Sequence, residues 1–80
     1  MPRLPTITAA VMIAFLESLG FKQVRQKGSH KFFRHPDKRT ATVPDHKGED
    51  LGRGITSKIF RDAEVTREDF MNWYRGRGEN

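Results

Sequence analysis

The sequence predicts an α+β fold of order α-β-β-β-α, a three-stranded antiparallel sheet with helices on one face and an extra C-terminal helix. Three observations predict it. Apolar residues recur with a helical period near the start of the chain, give way between residues 21 and 43 to short extended runs split by turn residues, and resume a helical period from residue 55. At 80 residues the chain is expected to form a single domain over 1–80, with its core in 5–63 and an additional helix at 66–75. A domain of this size buries too little surface for a deep cavity, so function must sit on the outside.

After an extended lead over residues 2–6, Thr8 can cap a helix that runs to about Leu19 and ends at Gly20. Val11, Met12, Phe15, Leu16 and Leu19 then share one stripe that faces the core. Ala10, Ala14 and Glu17 suit solvent, whereas Ile13 has no obvious place to hide. The apolar run from Ile7 to Leu16 behind Met1-Pro2-Arg3 is read as this helix rather than as a secretory leader, because Thr8 and Glu17 punctuate it with a helical period. No stretch approaches the roughly 20 apolar residues that span a membrane. Cysteine is absent, which fits a reducing compartment, and a cytoplasmic location with no membrane contact is expected.

Extended runs at 21–27, 29–35 and 40–43, separated by Gly28 and by Pro36-Asp37-Lys38-Arg39, read as an antiparallel meander. Pro44 closes the third strand, and residues 45–54, with three glycines, form the loop expected to be most mobile. Those glycines do not make a phosphate-binding loop, since Arg53 and Gly54 stand where one beginning at Gly48 needs Gly and Lys. A short helix at 55–63 should turn Ile55, Ile59, Phe60 and Ala63 to the core and Ser57, Lys58 and Arg61 outward. Thr66, with Asp69 three residues on, forms a capping box that opens the last helix through Phe70, Met71, Trp73 and Tyr74. The aromatic pair at its end is read as core or interface, and the tail from Gly76 frays. Helices at both ends of a meander cover one sheet face and leave the other open. This is also the layout of double-stranded RNA-binding domains, although a fold alone assigns no function.

Charge narrows the partner. The net charge is +5, and residues 21–39 hold seven cations (Lys22, Arg25, Lys27, Lys31, Arg34, Lys38 and Arg39) against the single carboxylate of Asp37. Such a patch favours a polyanion, most often nucleic acid; the alternative is a solubilising face. Of the three histidines, His30 follows Gly28-Ser29 at the turn into the second strand. Strand alternation sets His30, Phe32 and Arg34 on one face and Lys31, Phe33 and His35 on the other. If Phe33 joins Ala41 and Val43 in the core, His30 lies on the open face between a base-stacking aromatic and a cation.

Such a site suits RNA cleavage without a metal or other cofactor. A base takes the 2′-hydroxyl proton, the oxygen attacks the adjacent phosphate, and an acid protonates the leaving 5′-oxygen. Lys27, Lys31 and Arg34 are candidates to bind phosphate or stabilise its developing charge, with Gly28 and Ser29 beside them; the alternative for His30 is a structural histidine. His46 supplies a second acid–base group if its loop folds back, and is otherwise a solvated loop residue. His35, before Pro36, reads as turn chemistry. No pair of histidines has the spacing of helical or finger metal ligands.

Taken together, Gly20-Phe21, Arg25-Gln26-Lys27-Gly28-Ser29-His30, Phe33-Arg34-His35-Pro36 and Thr42-Val43-Pro44 resemble the HicA toxin family. The helix opening Gly54-Ile55-Thr56-x-x-Ile59 is similar to the family's Gly-Thr-Leu-x-x-Ile, and the resemblance covers roughly residues 5–63. It implies a double-stranded RNA-binding-like fold, ribosome-independent cleavage of messenger RNA, and neutralisation by a HicB-type antitoxin. The family's catalytic histidine corresponds to His30, with Gly28 and Ser29 shaping the turn that presents it; nothing carries over to His46. Two other readings stay open, a non-catalytic RNA-binding module and a protein-binding adaptor that uses Ile13 and the terminal helix.

Overall fold

The computed structural model describes residues 5–77. Most of the extended lead expected at 2–6, and the end of the tail expected to fray, lie outside them. The element order is α1 (Ala9–Ser18), β1 (Lys22–Lys27), β2 (His30–Arg34), β3 (Thr40–Pro44), α2 (Arg53–Ala63) and α3 (Arg67–Arg75). This is the expected α-β-β-β-α layout, like a double-stranded RNA-binding domain, with one further helix.

Thr8 caps α1 as its sequence position suggests, its hydroxyl accepting from the Val11 N–H at 3.2 Å. Met12, Phe15 and Leu16 are fully buried, and Val11 and Leu19 pack half-buried against them. Ile13 departs from expectation: it is half-buried against the core rather than stranded in solvent. Both β3 and α3 pack on α1, and its apolar surface is wider than one stripe.

The sheet is antiparallel in the order β1-β2-β3. Phe33 on β2 and Ala41 and Val43 on β3 are buried under the helices. Strand β1 carries a bulge between Gln23 and Arg25, so that Val24 has no cross-strand partner and stands 58% exposed. The extra residue resets the alternation. Lys27, His30 and Pro44 form one row across the sheet, Arg25, Phe32 and Thr42 the next on that face, and Lys22, Arg34 and Thr40 a third.

Helix α2 packs on β3 through Thr56, Ile59, Phe60 and Ala63, all buried. Ile55, expected in the core, is 41% exposed. The helix starts at Arg53, and its buried positions follow Thr56 by three, four and seven residues, which leaves Ile55 at the edge of the stripe, about 40° past Ile59. Thr66 and Asp69 make the expected reciprocal capping box at the start of α3. Phe70 is fully buried with its ring centroid 5.1 Å from Phe15 and 5.7 Å from Phe60, and Trp73 lies 5.3 Å from Phe15. The third helix therefore completes the core. No helix among the described residues is long and apolar enough to cross a membrane.

Candidate functional site

The β1–β2 connection is a two-residue hairpin, because Lys27 pairs directly with His30. Gly28 has φ +59°, and Ser29 has no positive φ, the sign pattern of a type II′ turn whose first central position favours glycine. A Cβ at Gly28 meets nothing within 4 Å, so the backbone angle rather than crowding calls for glycine here. Gln26 closes the turn from the side, its Nε2 donating to the Gly28 carbonyl at 2.9 Å. His30 follows at once, held by partners on both sides and exposed at a corner of the open face.

Around it the bulge gathers charge that simple alternation would divide. Without the bulge, Lys22 would face opposite Arg25 and Lys27; with it, all three share the face of His30 and Arg34, and all four cations are exposed. Phe32 is half-buried with the Arg25 guanidinium 4.6 Å from its ring centroid, so its outer face is already covered by a cation. A shallow groove of about 140 Å³ opens beside His30, between Thr42 and Pro44 of β3 and Ile55, Lys58 and Asp62 of α2. A larger hollow of about 760 Å³ lies between residues 5–7, 50–53 and Arg67, and no histidine lines it.

The other cations of the basic segment are placed differently. Lys31 points away from His30, in the row of Val43, and its ammonium lies 2.7 Å from the Asp45 carboxylate. Arg39 is locked in the β2–β3 turn. Its Nε donates to both Asp37 oxygens at 2.8 and 3.1 Å, its Nη1 donates to the Ala63 carbonyl, and its guanidinium lies over the Phe21 ring at 5.2 Å. The Arg39 hydrogen bond holds the Asp37 carboxyl below the ordinary aspartate range. Lys38 occupies a turn position with φ +83°. Thus Lys27, Gly28 and Ser29 adjoin His30, Arg34 shares its face at the far end of β2, and Lys31 lies on the other face.

The remaining histidines have distinct settings. His35 Nε2 lies 2.9 Å from the Leu19 carbonyl, while Nδ1 lies 3.1 Å from the Asp37 backbone nitrogen and 3.0 Å from the Asp37 carboxylate. It ties the end of α1 to the β2–β3 turn and is structural. The loop expected to be mobile over 45–54 ends at residue 52, where α2 takes over, and it is pinned near both ends: Asp45 N–H donates to the Ser29 carbonyl at 2.7 Å and Leu51 N–H to the Ile7 carbonyl at 2.8 Å. His46 comes to rest with Nε2 3.4 Å from Ser29 Oγ. Sequence reasoning had no means to settle this, since the loop's path depends on contacts distant in the chain. Among the described residues, no three histidines or carboxylates converge closely enough to hold a metal ion.

Element order and sheet topology define a small α+β protein of the double-stranded RNA-binding-domain class, here with a histidine exposed at the corner of a cationic sheet face. The family model for the HicA toxin of bacterial toxin-antitoxin systems matches residues 10–65 of the 80. The chain belongs to the HicA toxin family, and the family makes it the toxin of a toxin-antitoxin system. No curated protein matches it.

Proposed function

We propose that this toxin is an endoribonuclease that cleaves messenger RNA by histidine acid–base chemistry, with His30 as its central catalytic group. The observation that carries the reading is the exposure of His30 at a sheet corner beside Lys27, with Arg25 one row and Arg34 two rows further along the same face. An imidazole changes charge near neutral pH as a side-chain class, which suits it to move protons in RNA transesterification. The cations supply what the phosphate demands, attraction for the backbone and stabilisation of the charge that builds on the phosphorane.

RNA lies across the open face, its phosphates on Lys22, Arg25, Lys27 and Arg34 and its backbone passing the Gly28-Ser29 turn. A base stacks on the Arg25 guanidinium rather than on bare Phe32, because Arg25 already covers that ring. Lys31, paired with Asp45, acts by holding the following loop. The antitoxin is of the HicB type and silences the toxin by covering the His30 face with an acidic surface, charge complementarity being the cheapest way to compete with RNA. A complex that leaves His30 fully open to solvent would contradict that placement.

The deciding experiment compares purified wild type with His30→Ala on an RNA substrate in EDTA. Wild type should yield fragments and arrest growth when expressed alone. The variant should do neither while keeping its fold and its antitoxin binding. Salt-dependent RNA binding without any cleavage by wild type would instead identify a non-catalytic RNA-binding module.

A further inference from the structure

A lone histidine must serve both proton transfers of the reaction or leave one to water, and the loop after β3 offers a second imidazole. Asp45 is tied to the β1–β2 hairpin twice, by its N–H to the Ser29 carbonyl and by its carboxylate to Lys31, each at 2.7 Å. The next residue, His46, lies with Nε2 3.4 Å from Ser29 Oγ, and its own carbonyl accepts from the Glu49 N–H at 3.0 Å. At 3.4 Å the Ser29 contact is long for a hydrogen bond, so the ties on Asp45 are the stronger restraint. Ser29 immediately precedes His30, and His30 pairs with Pro44, two residues before His46. The start of β2 and the loop that leaves β3 therefore bring exposed imidazoles to the same corner of the sheet.

We propose that His46 is the second acid–base group of the RNA cleavage assigned to His30, with Ser29 as the residue that positions its ring. The inference rests on the endoribonuclease reading. In the step itself, one imidazole accepts the 2′-hydroxyl proton as O2′ attacks phosphorus, an O2′–P bond forms, and the P–O5′ bond breaks. The other, as imidazolium, gives its proton to the departing O5′. The products are a 2′,3′-cyclic phosphate and a 5′-hydroxyl, and exchange with solvent restores the two protonation states; no redox partner or further reactant is needed. The charged and titratable groups on the two segments that meet here are Lys27, His30 and Lys31 around the hairpin turn and Asp45, Lys47 and Glu49 beside His46 in the loop. Of these Lys31 and Asp45 are paired with each other. Across the groove, Lys58 and Asp62 of α2 are likewise paired, at 2.9 Å.

The test is single-turnover cleavage of an RNA oligonucleotide by the full chain, followed between about pH 5 and pH 9. Wild type should give a bell-shaped profile. His46→Asn retains a polar group near Ser29 but cannot titrate, and should lower the rate by about 10²-fold or more and remove one limb of the bell. Ser29→Ala keeps the imidazole and should keep both limbs with a smaller loss. A substrate with sulfur in place of the bridging O5′ has a leaving group that needs no protonation. It should restore cleavage in only one of His30→Ala and His46→Asn, the variant that lacks the acid. Folded His46→Asn that keeps both limbs, whatever its rate, overturns the proposal, as does rescue of neither variant or of both. If wild type cleaves and His30→Ala does not, such a result removes only His46; if wild type leaves RNA intact, the endoribonuclease reading falls first.

Discussion

Of the described glycines, Gly20 has the least room for a side chain, because His35 lies against it. Gly20 has φ +105°, and a Cβ there would come within 3.0 Å of His35 Nε2, the atom that meets the Leu19 carbonyl. The imidazole cannot retreat freely, because Nδ1 is engaged by the Asp37 N–H and the ring lies edge-on to Phe21 at 5.1 Å. Gly20→Ala therefore combines a strained backbone with displacement of a half-buried hydrogen bond, and should cost about 2–3 kcal/mol in urea unfolding. In Gly20→Ala/His35→Ala the steric part should be relieved, so the double variant should lose less than the sum of the singles. Strict additivity would show that the two residues do not meet as described. The same comparison separates the histidines by setting: His35 is engaged in structure, whereas His30 and His46 are exposed, as the proposed proton transfers require.

At the level of elements, α3 changes status. The family match ends at residue 65, before α3 begins at Arg67, yet Phe70 is fully buried among Phe15, Phe60, Trp73 and Tyr74. Phe70→Ala should cost about 3–5 kcal/mol. That equals the whole stability of about 3–5 kcal/mol expected for an unstapled core of this size, so the variant should be largely unfolded at 25 °C by circular dichroism. A cooperatively folded Phe70→Ala protein with near-native Tm would return α3 to the status of an appendage. Most elements were legible because each carries a local signal: the Thr8 cap, the Gly28 and Pro36 turns, the Thr66/Asp69 box. What was not legible depends on partners distant in sequence. The bulge at Val24 follows from what β2 offers across the sheet, the exposure of Ile55 from the phase in which α2 meets the core, and the partial burial of Ile13 from how widely the core wraps α1. For the site, the Gly28-Ser29-His30 turn was readable in place, whereas the fate of His46 depended on bonds from Asp45 and Leu51 to other parts of the chain.

For the whole molecule, the distribution of charge matters more than its sum. Sequence marks seven cations in residues 21–39 as a potential polyanion surface, but the fold spends Arg39 on Asp37 and Ala63, pairs Lys31 with Asp45, and sets Lys38 in a turn. Lys22, Arg25, Lys27 and Arg34 remain together on the face of His30. Each phosphate neutralised on a single strand contributes about −0.7 to the slope of log K against log salt concentration. Four contacts then give a slope of about −3, whereas all seven would give about −5. Binding of single-stranded RNA by a cleavage-deficient His30→Ala protein, titrated over a range of salt, distinguishes the two. Lys22→Ala and Lys27→Ala should each flatten the slope by about 0.7, at little cost in stability. Arg39→Ala should leave the slope unchanged and lower the Tm, since its guanidinium joins the β2–β3 turn to the end of α2. A slope near −5, or an equal flattening by Arg39→Ala, would mean that RNA reaches beyond the open face and that the bulge at Val24 does not select which charges it meets.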